Sequence, residues 1–186
     1  MKINTKELTM CAMFSALIIV GAFIKIDIPL PLYTMHFTLQ WFFVIMSALL
    51  LGEKIGTLSV AVYLLLGLAG LPVFAAGGGP AYVLRPGFGF LLGFVFAAFL
   101  IGLIMRKIKK QGLLSMIFAS IIGMVVYYSV GAVYFYLIKN FYVGDRVSFG
   151  VIVGTYCLIT VLPDFILCVL ASILCQRIKP IIGGIV

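Results

Sequence analysis

The sequence predicts an all-α integral membrane protein: six transmembrane helices, both termini cytoplasmic, and proline- and glycine-rich outer loops covering a ligand pocket. Three observations carry that expectation. Of the 186 residues, 65% are apolar and only 10% are charged, with a mean hydropathy of +1.30. An average soluble domain has roughly 45–50% apolar and about 25% charged residues. So little polar surface excludes both a soluble globular domain and a disordered chain. The second observation is six apolar segments: Leu8–Ile24, Phe37–Leu51, Ile55–Gly70, Phe88–Met105, Leu113–Ile138 and Val151–Cys175. No charge falls between Lys54 and Arg85 or between Lys110 and Lys139, and such long unalternating runs exclude a β-barrel. The third is the placement of the cations. With the N-terminus inside, Lys2, Lys6, Lys54, Arg106, Lys107, Lys109, Lys110, Arg177 and Lys179 are cytoplasmic. Lys25, Arg85, Lys139 and Arg146 are outside, a positive-inside bias. At roughly 20 residues per span, residues 1–186 suit a single transmembrane domain.

The net charge of +8 does not indicate a nucleic-acid partner. The main cluster, Arg106, Lys107, Lys109 and Lys110, lies between two apolar stretches, where it sets topology and meets anionic lipid headgroups. Cys11, Cys157, Cys168 and Cys175 form no CxxC pair and read as small packing residues. One histidine, His36, leaves no zinc or iron site.

Taken in order, the first segment follows Lys2 and Lys6 as a signal peptide does. Without a small-x-small site before Lys25, and with five segments to follow, it reads as a retained helix. It carries Ala12-x-x-x-Ala16, flanked by Cys11 and Ser15. Small residues four apart permit close helix approach, within the bundle or with another membrane protein. Lys25 and Asp27, at its end, can pair with each other. Segments two and three, joined by the turn Gly52–Glu53–Lys54, are short for a hydrocarbon core about 30 Å thick. The two outer loops, Lys25–His36 and Leu71–Gly87, are longer. They contain Pro29, Pro31, Pro72, Gly77–Gly78–Gly79–Pro80 and Pro86–Gly87. Their Ile28, Leu30, Leu32, Tyr33, Phe74, Tyr82 and Val83 are too apolar for water, so both loops are expected to fold over the outer mouth.

Few residues can do chemistry. Asp164 is the only acid well inside an apolar segment, where a carboxylate costs about 2.5–3.5 kcal/mol, so it is a ligand contact or a paired structural acid. Pro163 precedes it, and Tyr156, Thr160 and Asp164 recur every four residues on one helical face. Arg85, beside Tyr82 and Pro86–Gly87, is a carboxylate clamp, a headgroup anchor or the partner of Asp164. The glycine run lacks the GxxxxGK[ST] pattern of a phosphate loop; Gly78 and Gly79 suit close backbone approach and backbone donors. Gln40 reads as an interhelical hydrogen bond or a ligand contact. Trp41 reads as an interfacial anchor and His36 as a solvated or loop-bonded residue near the surface. No HExxH, GxSxG, Walker motif or paired intramembrane carboxylates appear, so no catalytic residue is assigned.

The order Ile28-Pro29-Leu30-Pro31, Phe37-Thr38-Leu39-Gln40, Leu49-Leu50-Leu51-Gly52 and Gly56, Tyr63-Leu64-Leu65-Leu66-Gly67, and Gly70-Leu71-Pro72-Val73-Phe74 closely resembles the BioY family. The likeness continues through the glycine run, Arg85-Pro86-Gly87-Phe88-Gly89 and Leu91-Leu92-Gly93-Phe94, with Pro163-Asp164 as a further point. BioY proteins are biotin-binding S components of energy-coupling-factor (ECF) transporters. The resemblance implies a plasma-membrane protein that binds biotin at its outer face. It also implies partners: a transmembrane coupling protein, met through Ala12 and Ala16, and two ATP-binding-cassette ATPases. Those ATPases hydrolyse the ATP, and the chain itself binds no cofactor. Asp164 would accept from the ureido N–H groups of biotin, with Gln40 or a glycine-loop N–H at its carbonyl. Tyr82 and Tyr156 would flank the ring, and Arg85 or Lys25 would hold the carboxylate. Rival readings are an S component for another vitamin such as thiamin, a self-sufficient homo-oligomeric carrier, and a membrane enzyme, which the single buried acid disfavours.

Overall fold

The computed structural model describes residues 4–30, 33–108 and 111–182. Lys2, Pro31, Leu32, Lys109 and Lys110, named above, lie outside the described residues. The helices are α1 (Thr5–Phe23), α2 (Gln40–Leu68), α3 (Phe88–Lys107), α4 (Leu113–Leu137), α5 (Phe149–Ile152) and α6 (Leu158–Ile182). Two short strands, β1 (Lys25–Ile28) and β2 (Met35–Thr38), separate α1 from α2. Single π-helical turns extend α4 over Ile138–Val143 and join α5 to α6 over Val153–Cys157. Among the described residues, five helical stretches are long and apolar enough to cross a membrane.

The second and third apolar segments are the two arms of one element. Helix α2 breaks at Gly52, whose φ of +74° is one that glycine adopts without penalty. Beyond the break the chain doubles back. The amide of Gln40 donates to the hydroxyl of Tyr63 at 2.6 Å, although 23 residues of unbroken helix would hold them about 35 Å apart. The arms touch so closely that a Cβ on Gly56 would lie 2.7 Å from the Ser47 carbonyl. The bundle therefore has two ends. One carries the strands, Gln40 and Tyr63; the other carries Gly52.

The Gly52 end is tied by polar contacts. Glu53 is buried and pairs with Arg106 at the end of α3. Lys179 on α6 donates to the Leu49 carbonyl at 3.2 Å and to the Gln111 side chain at 2.6 Å. Both cations sit at helix C-termini, where they complement the unpaired carbonyls and the dipole. Between the two ends, small residues set the helix spacing. A Cβ on Gly93 of α3 would meet the Tyr127 carbonyl at 2.7 Å, so α3 and α4 approach backbone to backbone. Ser15 links α1 to the second arm of α2 through the Ser59 carbonyl at 2.8 Å. Cys11, Cys157, Cys168 and Cys175 are buried and free, in packing positions.

One element departs from expectation. The stretch Lys25–His36 was expected as a loop, yet Lys25–Ile28 and Met35–Thr38 pair antiparallel, Lys25 opposite Thr38 and Asp27 opposite His36. The alternation explains it: Lys-Ile-Asp-Ile and Met-His-Phe-Thr each switch polar and apolar residues with period two. Pro29 follows β1 directly, where a missing N–H does no harm.

Candidate functional site

A cavity opens at the strand-bearing end. Its empty volume, the open mouth included, is about 770 Å³. Tyr33, Met35, His36, Phe37 and Thr38 form one side and Ala75, Tyr82 and Gly87 another, while α2, α3, α4 and α6 supply the deeper wall. Both proline- and glycine-rich stretches thus contribute to it.

The deep wall is aromatic. Trp41 is 1% exposed and stacks on Phe94 at 5.7 Å between ring centroids, with Tyr127 at 4.6 Å. It is not an interfacial anchor: in the first turn of α2 it faces the bundle and is buried there. Tyr156, Thr160 and Asp164 line the cavity from one face, as the four-residue spacing predicts. Tyr156 belongs to the π turn and packs against Phe135 at 4.6 Å.

Asp164, 3% exposed, is held by two tyrosines of α4. Tyr127 and Tyr128 both donate to its Oδ2, Tyr128 at 2.5 Å, and Thr160 bonds the Tyr128 hydroxyl at 2.8 Å. The other oxygen, Oδ1, has no bond among the described residues and is free to accept from a ligand donor in the cavity. Residue types alone did not single out Tyr127 and Tyr128. The signal was two adjacent tyrosines in a charge-free apolar helix, since buried phenols need partners.

Gln40 also lines the cavity, with its amide between Tyr63 and Thr38. Tyr82 is buried and walls the mouth. Burial pushes its phenol up to about 12, with Tyr33 adding to the rise and Arg85 opposing it, so it stays neutral. Arg85, Gly78 and Gly79 are not brought to the cavity wall. Arg85 lies over the Tyr82 ring at 4.8 Å and donates to the Ala76 carbonyl at 3.0 Å, an exposed rim residue. It is not paired with Asp164. Gly78 sits against the Leu71 carbonyl and the Gly79 amide donates to the Gly67 carbonyl at 2.7 Å, so the glycine run shapes its own turn.

Lys25 is the second rim cation. It pairs with Asp27 at 3.2 Å and donates to the Ala75 carbonyl at 2.9 Å, tying β1 to the glycine-rich loop. His36, which lines the cavity, shares Asp27 at 2.6 Å. These contacts hold the Asp27 carboxyl below its usual range, the His36 bond first and the Lys25 bond second. His36 is therefore half-enclosed and bonded to the facing strand. The site is thus an aromatic chamber with the Asp164 carboxylate deep inside and two cations at its rim.

The BioY family profile matches residues 1–184. The chain belongs to the BioY family. Two relatives are the biotin transporter BioY of Thermotoga maritima, 40% identical over 94% of this chain and 96% of the relative, and the probable biotin transporter BioY of Lysinibacillus sphaericus, 39% identical over 94% and 87%. Among solved structures, the S-component for biotin from an ECF-type ABC transporter superposes with a TM-score of 0.83. It covers 96% of this chain and 95% of that one, at 28% identity. This BioY chain is a multi-pass membrane protein of the plasma membrane, in a family of transport proteins.

Proposed function

We propose that the chain is the biotin-binding S component of an ECF-type vitamin uptake transporter. The observation that carries the reading is the free Oδ1 of Asp164 deep in an aromatic chamber with two cations, Lys25 and Arg85, at its rim. Biotin has a matching polarity. Its ureido N–H groups donate to Asp164, its sulfur ring packs among Trp41, Tyr82 and Tyr156, and its tail carboxylate reaches Lys25 or Arg85. The family and its named relatives support the same ligand. Nanomolar binding, about −12 kcal/mol, spreads over about 16 non-hydrogen atoms at roughly −0.8 kcal/mol each, below the ceiling for small ligands.

In this reading the two arms of α2 are separate spans, which makes six helices. At about 18 and 24 Å they are shorter than the hydrocarbon core, so the bilayer thins there or the flanking loops enter it. The Gly52 end, with Lys54, Arg106, Lys107, Arg177 and Lys179, is cytoplasmic, and so are both termini. Ala12 and Ala16, exposed on α1, face the transmembrane coupling protein. Two ATPases bound to that protein hydrolyse ATP and drive release inward.

Calorimetric titration of the detergent-purified chain tests the ligand, with biotin, thiamin and a biotin ester in parallel. Tight one-to-one biotin binding is expected, weaker for the ester and absent for thiamin. Asp164→Asn should lower biotin affinity about 100-fold or more while melting as the parent does. Wild-type affinity in a folded Asp164→Asn protein would overturn the site. Uptake by vesicles holding this chain alone would favour a self-sufficient carrier.

A further inference from the structure

We infer that Tyr127 and Tyr128 are positioning residues that keep Asp164 an anion and aim its Oδ1, so that the chamber accepts only ligand heads that bring a hydrogen-bond donor. The inference rests on the reading that Asp164 meets the ligand.

The hydroxyl geometry comes first. A phenol has one hydrogen, and an ionised carboxylate only accepts. Tyr128 stands 2.5 Å from Asp164 Oδ2 and 2.8 Å from the Thr160 hydroxyl. Its proton therefore goes to Asp164, and it receives the proton of Thr160. Tyr127 donates to the same oxygen. Three hydroxyl dipoles thus point, directly or in relay, at one carboxylate oxygen. The other is left facing the cavity.

Charge is the second argument. Among the described residues no lysine, arginine or histidine bonds Asp164, and the ion pairs all lie elsewhere. The other titratable groups nearby are Cys168, one turn along α6, and Tyr156, two turns back. Tyr33, His36 and Tyr82 stand towards the mouth. With no counter-cation, the hydroxyls are what replaces water around the charge. The rings that carry them cannot turn away. Tyr127 is enclosed by Trp41, by Phe94 at 5.2 Å and by Tyr128 at 4.3 Å, and its backbone is wedged against Gly93.

The consequence is selectivity. A protonated acid both donates and accepts, and would tolerate a head group lacking N–H. An anion with Oδ2 occupied accepts only, at Oδ1. A cyclic urea satisfies it; the same ring methylated on nitrogen leaves the charge unpaired.

The test has two readouts on the purified full chain, using Tyr127→Phe, Tyr128→Phe and the double variant. Infrared difference spectra at neutral pH, with Asp164→Asn for band assignment, report the carboxyl group without any ligand. The parent should show an ionised carboxylate and the double variant a protonated-acid band. Titration with biotin and ureido-N-methyl biotin reports selectivity. Each single variant should lose biotin affinity roughly tenfold, and the preference for biotin over the methylated analogue should collapse in the double variant. An ionised band and an unchanged preference in folded double variant would overturn the inference. If the double variant does not fold, the single variants decide it: unchanged spectra and unchanged preference in both would overturn it. A spectral change with no biotin binding in the parent would refute the ligand assignment and leave the charge-setting role standing.

Discussion

Gly67→Ala is the sharpest test of how the glycine-rich loop seats on the bundle. The Phe74 ring occupies the space where a side chain at 67 would be: a Cβ there would lie 2.1 Å from Phe74 Cζ and 2.6 Å or less from two more ring atoms. Ordinary contact needs about 3.5 Å, so the ring must move by more than 1 Å. It cannot slide within its pocket. Phe74 is 1% exposed and is enclosed by Tyr63 at 5.4 Å, Tyr82 at 4.5 Å and Phe88 at 6.4 Å. Overpacking of this kind costs about 1–3 kcal/mol. Lifting the loop off α2 relieves it, and the loop carries Ala75 and Tyr82 of the cavity wall. The penalty should therefore appear in ligand binding more than in folding. Biotin affinity is expected to fall by about 5- to 160-fold, with the melting temperature of the unliganded protein little changed. Phe74→Leu in the same chain should return part of the loss. Parental affinity for Gly67→Ala would refute the reasoning, and so would a full loss of folding.

Three other outcomes follow from local geometry. Arg106→Gln leaves buried Glu53 without its partner; because Arg106 is 60% exposed, the loss should be only about 1–2 kcal/mol, read as a lower melting temperature. Asp27, held below its usual range first by His36 and then by Lys25, strengthens the β1–β2 hairpin at every pH above the ordinary carboxylate range. That contribution is lost only as pH falls through the lowered value, so amide-exchange protection of the hairpin should stay flat through neutral and mildly acidic pH. Asp27→Asn should lower the protection and leave it insensitive to pH. Trp41, the single tryptophan of the chain, lines the cavity, so its fluorescence should change on addition of biotin and not of thiamin.

Helix positions were legible because hydropathy and charge-free length carry them, and the face shared by Tyr156, Thr160 and Asp164 was legible because 3.6-residue periodicity does. The Lys25–Asp27 pair was legible from the adjacency of the two residues at the end of the first apolar segment. What stayed hidden depends on the partner helix. Nothing in α4 says that Tyr127 and Tyr128 meet Asp164, because their separation in sequence carries no angular information between helices. Trp41 was misplaced for a related reason: position near a helix end suggests an interface, but the strands and the Tyr82 loop convert that end into an interior. The place of Arg85 at the rim, held by the Ala76 carbonyl and the Tyr82 ring, likewise depends on contacts that its position in the sequence does not give. The hairpin was not anticipated: its period-two alternation is present in the sequence, but the prolines of that stretch favoured a loop.

The tyrosine pair also bears on how the chain is made. Asp164 lies 37 and 36 residues after Tyr127 and Tyr128, so during synthesis α4 precedes α6 into the membrane. A mid-span aspartate entering lipid alone costs about 2.5–3.5 kcal/mol. Here it arrives beside a helix already presenting the hydroxyls it needs. The order of the helices along the chain is thus also an order of assembly, in which the last span completes its insertion on a surface prepared by an earlier one.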